Sequence, residues 1–239
     1  MKFYYLNLDS RPDRNQQFIN RKNAYLNFER LSAIDGKQID RQRLIENGVI
    51  SSDLTSYTDG AIGCALSHTM IWDHAVRNNR EVTVAEDDAV INYHFMEKSA
   101  RIKKSLPTDW DVILWGWNLD SVLYVKIFED IKSGLLLFDK EDISPYLGTF
   151  QKRRFDVMAL RLLAAFGTVC YSVSASGARS LKRLCLPICS ENIYVPILGS
   201  IPNYGIDICM SKIYRELKAY AIFPPLVIPE NDRVNSDIQ

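Results

Sequence analysis

At 239 residues the chain is long enough to bury a continuous core as one domain. Its 29 basic side chains balance 29 acidic ones, so no net charge draws it toward nucleic acid. Cys64, Cys170, Cys185, Cys189 and Cys209 are an odd set without Cys-x-x-Cys spacing, which reads as reduced thiols in a cytoplasmic protein, and Cys185 and Cys189 lack the nearby His or further Cys that a metal would need.

KFYYLNL (2–8) is aromatic and β-prone and predicts a strand rather than a secretory leader. DSRPDR breaks it, and residues 14–26 carry helical spacing. NFERLSAID (27–35) reads as a short second strand running into the turn pair Asp35-Gly36. Residues 38–60 are polar and predict a short helix and a loop. In 60–78, Ile62, Leu66, Met70 or Ile71, and Ala75 share a face, as in a helix packed on a sheet. A strand follows directly in EVTVAEDDAVI (81–91), and another in DWDVILWGWN (109–118). Residues 119–160 are mixed: 119–128 has strand character and DKEDISPYLGTFQKRRFD (139–156) is charged and loop-rich. LLAAFGTVCYSVSASGA (162–178) is too short and too interrupted to span a bilayer and reads as a buried helix end followed by a strand, then a turn at Ser176-Gly177 and a helix. Residues 204–217 predict a helix and 218–229 a strand ending at a Pro pair. Strands alternating with helices predict an α/β sheet with a largely parallel core, in which ligands bind beyond the carboxyl ends of the strands.

Chemistry gathers at four places. The strand at 81–91 runs into Glu86, Asp87 and Asp88, and burying three unpaired carboxylates would cost several kcal/mol each, roughly. At an open strand end they make a hard oxygen site for a divalent cation. On an extended backbone Glu86 and Asp88 point the same way and Asp87 the other; the alternative is a solvated acidic turn. Asn7, Arg11 and Arg14 follow the first strand, where a nucleotide phosphate or base would lie; the alternative is a surface loop. Neither GxGxxG nor GxxxxGK[ST] is present. Ser67 and His68 lie on the helix at 60–78 without a GxSxG elbow, and His68 is a candidate for contact with phosphate or acceptor. Asp207, amid Ile206, Ile208 and Cys209, either caps a helix or serves as a base.

YYLNLDSRPDR, LSAIDG, GAIGCALSHTMIWDHAV, VTVAEDDAVI, GTVCYSVSASGARSL, YGIDICM and PPLVIPENDRVNSDI, in that order, resemble glycosyltransferase family 25 over almost the whole chain, least in 119–160. The resemblance implies a single domain (1–239) with a GT-A-like nucleotide-sugar-binding sheet, helices on both faces, and 119–160 as a lid or acceptor-facing insertion. It implies an inverting, metal-dependent transferase moving a hexose, most often galactose, from a UDP-sugar to lipooligosaccharide, lipopolysaccharide or another surface glycan. Glu86-Asp87-Asp88 then stands for the DxD motif: Asp88 and Glu86 hold Mn²⁺ or Mg²⁺, with Glu86 also able to face the ribose, while Asn7, Arg11, Arg14 and His68 contact the donor. Asp207 is the implied base and Asp88 the second catalytic group. The implied setting is cytoplasmic, at most weakly associated with the inner face of a membrane. A catalytically silent nucleotide-sugar-binding protein of the same fold is the alternative.

Overall fold

The computed structural model describes residues 2–21, 23–128, 131–196 and 198–230. The Ser236-Asp237-Ile238 motif lies outside them. In chain order the elements are β1 (Lys2–Asn7), α1 (Pro12–Asn20), β2 (Glu29–Ser32), α2 (Arg41–Glu46), α3 (Asp59–Asn78), β3 (Val82–Glu86), β4 (Ala89–Ile91), α4 (Phe95–Ser105) and β5 (Val112–Gly116). There follow β6 (Val122–Phe128), β7 (Lys132–Leu137), α5 (Leu147–Lys152), β8 (Met158–Ala165), β9 (Cys170–Val173) and α6 (Ala175–Cys185). The chain closes with β10 (Asn192–Val195), β11 (Gly199–Pro202), α7 (Ile206–Ile213), β12 (Ala219–Phe223) and β13 (Val227–Pro229).

The main sheet has the order β2-β1-β3-β9-β5-β12-β8-β6-β7. Helices cover both faces, as expected. Along β1 the side chains alternate: Tyr4 and Leu6 enter a core shared with Ile62, Ile71 and Trp72 of α3, Leu181 of α6 and Met210 of α7. Phe3 and Tyr5 enter a second core with Phe18 of α1 and with Phe95 and Ile102 of α4.

The sheet is more mixed than the strand–helix alternation predicts. β1 pairs in parallel with β2 and β3, and β5 with β12. Between these blocks β9 runs antiparallel to both β3 and β5. β8 divides its length: Met158–Arg161 pairs with β12, and the later residues pair with β6. Leu162–Ala165 is therefore strand rather than helix end, and all four residues are buried. A continuous apolar run of that length does not distinguish the two, because strand neighbours rather than periodicity decide it. The strand character of 119–128 is borne out by β6, β7 follows it, and the segment 139–156, read as loop-rich, holds α5. The segment 218–229 splits at Pro224-Pro225 into β12 and β13, the latter pairing with β4. The helix α4 has no side-chain cap, yet Phe95, Lys98, Ser99 and Ile102 make one buried face at helical spacing.

Helix α3 carries the wall of the site, and its ends are well defined. Thr58 accepts the Ala61 amide at 3.0 Å, and Asn79 closes the helix in the left-handed region at φ 48°. Its start lies against the 34–36 turn. A Cβ at Gly63 would stand 2.5 Å from the Ile34 carbonyl oxygen and 2.8 Å from the Gly36 nitrogen. Gly63→Ala is expected to push the two backbones apart at a cost of about 1–3 kcal/mol. The midpoint of thermal unfolding should then fall by roughly 2–4 °C per kcal/mol, as measured by calorimetry.

Candidate functional site

Asn7 ends β1, Glu86 ends β3, and the two strands are parallel neighbours, so both residues stand at one carboxyl edge of the sheet. A cleft of about 390 Å³ opens there, lined by Asn7, Arg14, Cys64, His68 and Glu86–Asp88, with the 33–37 and 58–60 segments as its rim.

Strand alternation stops at Glu86, because Asp87 and Asp88 form the turn into β4. Each acid consequently meets a different environment. Asp87 Oδ2 accepts the buried Asn7 amide at 2.7 Å, and Oδ1 pairs with Arg14 at 2.5 Å. Burial still raises its pKa, against the opposing pull of Arg14 and Asn7. Asn7 is itself fixed, accepting from Arg30 Nε at 2.8 Å and donating to the Arg11 carbonyl at 3.1 Å. Glu86 keeps 26% of its side chain open to the cleft. Burial on its other sides favours the protonated form, but His68, the Thr168 hydroxyl that donates to Oε1, and the charge of Arg14 together hold its pKa below the ordinary value. Asp88 Oδ1 is buried without a hydrogen bond, and the charges of Arg14 and Arg21 offset only part of the burial. Burial first, then the neighbouring charge of Glu86, pushes its pKa up to about 7.

His68 is wholly buried at 0% exposure. Its Nδ1 lies 3.0 Å from the Tyr171 hydroxyl, whose oxygen also accepts the Trp72 indole N–H at 2.9 Å. Its Nε2 faces Glu86 Oε1 at 3.5 Å, a separation suited to an ion pair but too long for a good hydrogen bond. Ser67 accepts the Ile34 amide at 2.8 Å and donates to the Gly63 carbonyl at 2.7 Å. It fastens the 34–36 turn to α3.

Of the residues singled out in the sequence, Asn7, Arg14, His68, Glu86 and Asp88 converge on the cleft. Arg11 and Asp207 are not among its lining residues. Arg11 pairs with Asp13 at 2.9 Å at the start of α1. Asp207 sits in the first turn of α7, where its Oδ2 accepts the Gly167 amide at 2.8 Å. Burial raises the Asp207 pKa, partly offset by that amide. Gly167 adopts φ 91° and precedes Thr168, so this bond also braces the loop that reaches Glu86.

Two residues escaped the sequence reading. Thr168 has no local signal, since only the pairing of β9 with β3 brings it to Glu86. Cys64 reads in the sequence only as a reduced thiol, although its spacing of four from His68 on a helix already places both on one face. Burial and the nearby carboxylates, Glu86 first, hold the Cys64 thiol well above its ordinary range.

The sequence profile of glycosyltransferase family 25 (LPS biosynthesis protein) matches residues 1–195. The chain belongs to glycosyltransferase family 25. The region matched to that family holds Asn7, Arg14, Cys64, His68, the three acids and Thr168, whereas Asp207 lies beyond it. A glycosyltransferase 25 family member from Aedes aegypti is 35% identical over 126 residues, 47% of this chain and 20% of that protein. The procollagen galactosyltransferase 1-B of Xenopus laevis is 29% identical over 129 residues, 47% of this chain and 20% of its own length. The procollagen lysyl hydroxylase and glycosyltransferase of Acanthamoeba polyphaga mimivirus is 27% identical over 244 residues, 94% of this chain and 24% of that one. The match to this family-25 chain thus spans about a fifth of the length of the first two relatives and a quarter of the third.

The Asp88 shift has a pH signature. A carboxyl whose folded pKa is raised from 3.8 to about 7 contributes stability that is present at low pH and lost as pH rises through that window. Asp88→Asn removes the loss. The variant is expected to unfold at a higher temperature than the parent at pH 8, and the difference should shrink toward pH 4. Equal melting temperatures at pH 8 would show that Asp88 is not a strained carboxylate.

Proposed function

We propose that this chain is an inverting hexosyltransferase that moves galactose, in preference to other hexoses, from a UDP-sugar to a hydroxyl of a lipopolysaccharide, lipooligosaccharide or other surface glycan. The observation that carries the reading is the Glu86-Asp87-Asp88 turn in the cleft of a family-25 chain, with Asp87 paired to Arg14 and one Asp88 oxygen buried without a hydrogen-bond donor. Galactose comes first because the Xenopus relative is a galactosyltransferase by name, and the surface glycan because the family description is of lipopolysaccharide biosynthesis.

The residues suit a divalent cation of the Mn²⁺ or Mg²⁺ kind: the unpartnered Asp88 oxygen and the open side of Glu86 are hard oxygen donors. Bound there, such an ion supplies Lewis-acid neutralisation of the departing diphosphate. Asn7 and Arg14 orient the turn by holding Asp87, and Arg14 adds positive charge at the mouth for the diphosphate of the donor. Arg11, at the head of α1, is assigned to the nucleotide, and His68 holds Glu86 in place. Asp207 is assigned as the base that takes the proton from the acceptor hydroxyl, a role favoured by a carboxyl pKa raised through burial. The β6–β7 segment is assigned to the acceptor, because Val122 packs in one cluster with Ile208 beside Asp207.

A catalytically silent nucleotide-sugar-binding protein is favoured by one observation: the Asp207 carboxylate is already engaged by the Gly167 amide. Measuring UDP release from a panel of nucleotide sugars, with Mn²⁺ and with EDTA, decides between the two. Transfer predicts release from one UDP-sugar and only with metal. No release, together with no metal dependence of UDP binding, would leave the silent reading. Asp88→Ala is expected to lower turnover by roughly 100-fold or more. Asp207→Asn should keep UDP affinity and lose turnover; unchanged turnover would remove Asp207 as the base.

A further inference from the structure

We infer that Cys64, His68 and Glu86 form a binding site for a borderline-soft divalent cation of the zinc class on the α3 wall of the cleft. One donor atom from each, the thiol sulfur, a ring nitrogen and a carboxylate oxygen, lie within 4.8 Å of one another. The 3.5 Å between His68 Nε2 and Glu86 Oε1 is close to the edge of a tetrahedron whose metal–ligand bonds are about 2.0–2.1 Å. Cys64 and His68 are one helical turn apart on a rigid 20-residue helix, and Glu86 closes the set from the end of β3.

A second observation points to the ligand. His68 is completely buried, yet its Nε2 has no hydrogen-bond partner and faces Glu86 Oε1 at 3.5 Å. A buried ring nitrogen without a partner costs free energy that a bound cation would remove. The opposite nitrogen is already held by Tyr171, which Trp72 holds in turn. Metal-binding histidines are oriented by this kind of outer hydrogen bond. Thr168 likewise fixes the Glu86 oxygen.

The donor set selects the metal. Thiolate, imidazole and carboxylate together suit Zn²⁺ and Co²⁺, whereas Mn²⁺ and Mg²⁺ favour oxygen alone. Binding forms one metal–sulfur, one metal–nitrogen and one metal–oxygen bond and releases the Cys64 proton to solvent. Cys64, His68 and Glu86 all line the cleft, and three protein ligands would leave one position of a tetrahedral site for water or substrate. The site stands on its own geometry and does not rest on sugar transfer. It shares Glu86 with the hard-cation pair assigned above, so Zn²⁺ here competes with Mn²⁺ for that carboxylate.

The test is titration of metal-stripped, full-length protein with Co²⁺ in the absence of nucleotide sugar. One Co²⁺ per chain is expected, with a near-ultraviolet thiolate-to-cobalt absorption that Zn²⁺ displaces and equimolar Mn²⁺ does not. Cys64→Ser should abolish the absorption, while Cys189→Ser and Asp88→Asn keep it. Zn²⁺ should raise the melting temperature of the parent and not of Cys64→Ser, whose own melting curve reports that it is folded. Absence of the band, its survival in Cys64→Ser, or its loss in Asp88→Asn alone would overturn the assignment. Mn²⁺-dependent UDP release from Cys64→Ser is a separate readout, so failure of the zinc site and failure of the transfer reading are told apart.

Discussion

Three consecutive carboxylates at the end of a buried strand are the constraint around which this molecule is arranged. Low-dielectric surroundings disfavour each charge, and mutual repulsion adds to the cost. The protein resolves the problem unequally. Asp87 receives Arg14 and Asn7, Glu86 receives a histidine and a threonine, and Asp88 has one buried oxygen that no donor reaches, with the charges of Arg14 and Arg21 offsetting only part of its burial.

The antiparallel strand β9 makes the unequal arrangement rigid. Because β9 enters the sheet at the edge where β3 leaves it, the residues just before it, Gly167 and Thr168, arrive at the acids. Tyr171 within the same strand reaches the helix above and holds His68. Ser172 points to the other face and ties Thr83 at 2.6 Å and the Trp115 indole at 2.7 Å. A parallel strand in this place would bring its amino end to the opposite edge, and Thr168 would be far from Glu86. Asp207 takes part in the same bracing through Gly167, so the assigned base and the acidic turn belong to one connected network.

Helix α3 supplies the opposite wall. Its capped ends and glycine contact with the 34–36 turn fix its position, and Ser67 is spent on that fastening rather than on chemistry. With the wall set, Cys64 and His68 face Glu86 across a gap smaller than a side chain. The same cleft therefore presents hard oxygen donors on its strand side and softer sulfur and nitrogen donors on its helix side, with Glu86 common to both.

Much of this was legible along the chain. Strand β1, helix α3, the acid-tipped strand β3 and helix α6 follow from alternation, helical spacing and caps, which are local properties. The motif order points to the family, and of the candidate residues it offers, Asn7, Arg14, His68 and Glu86–Asp88 line the cleft whereas Arg11 and Asp207 do not. Tertiary structure alone decided the rest. Residues 162–165 are strand because neighbouring strands are there to pair with them. Thr168 joined the site only through the direction of β9. Which acid is neutralised is equally non-local: Asn7 and Arg14 are 80 and 73 positions from Asp87, and Tyr171 is 103 from His68. Sequence determines which charges exist and on which local element they ride; their compensation depends on distances and burial that exist only once the sheet has formed.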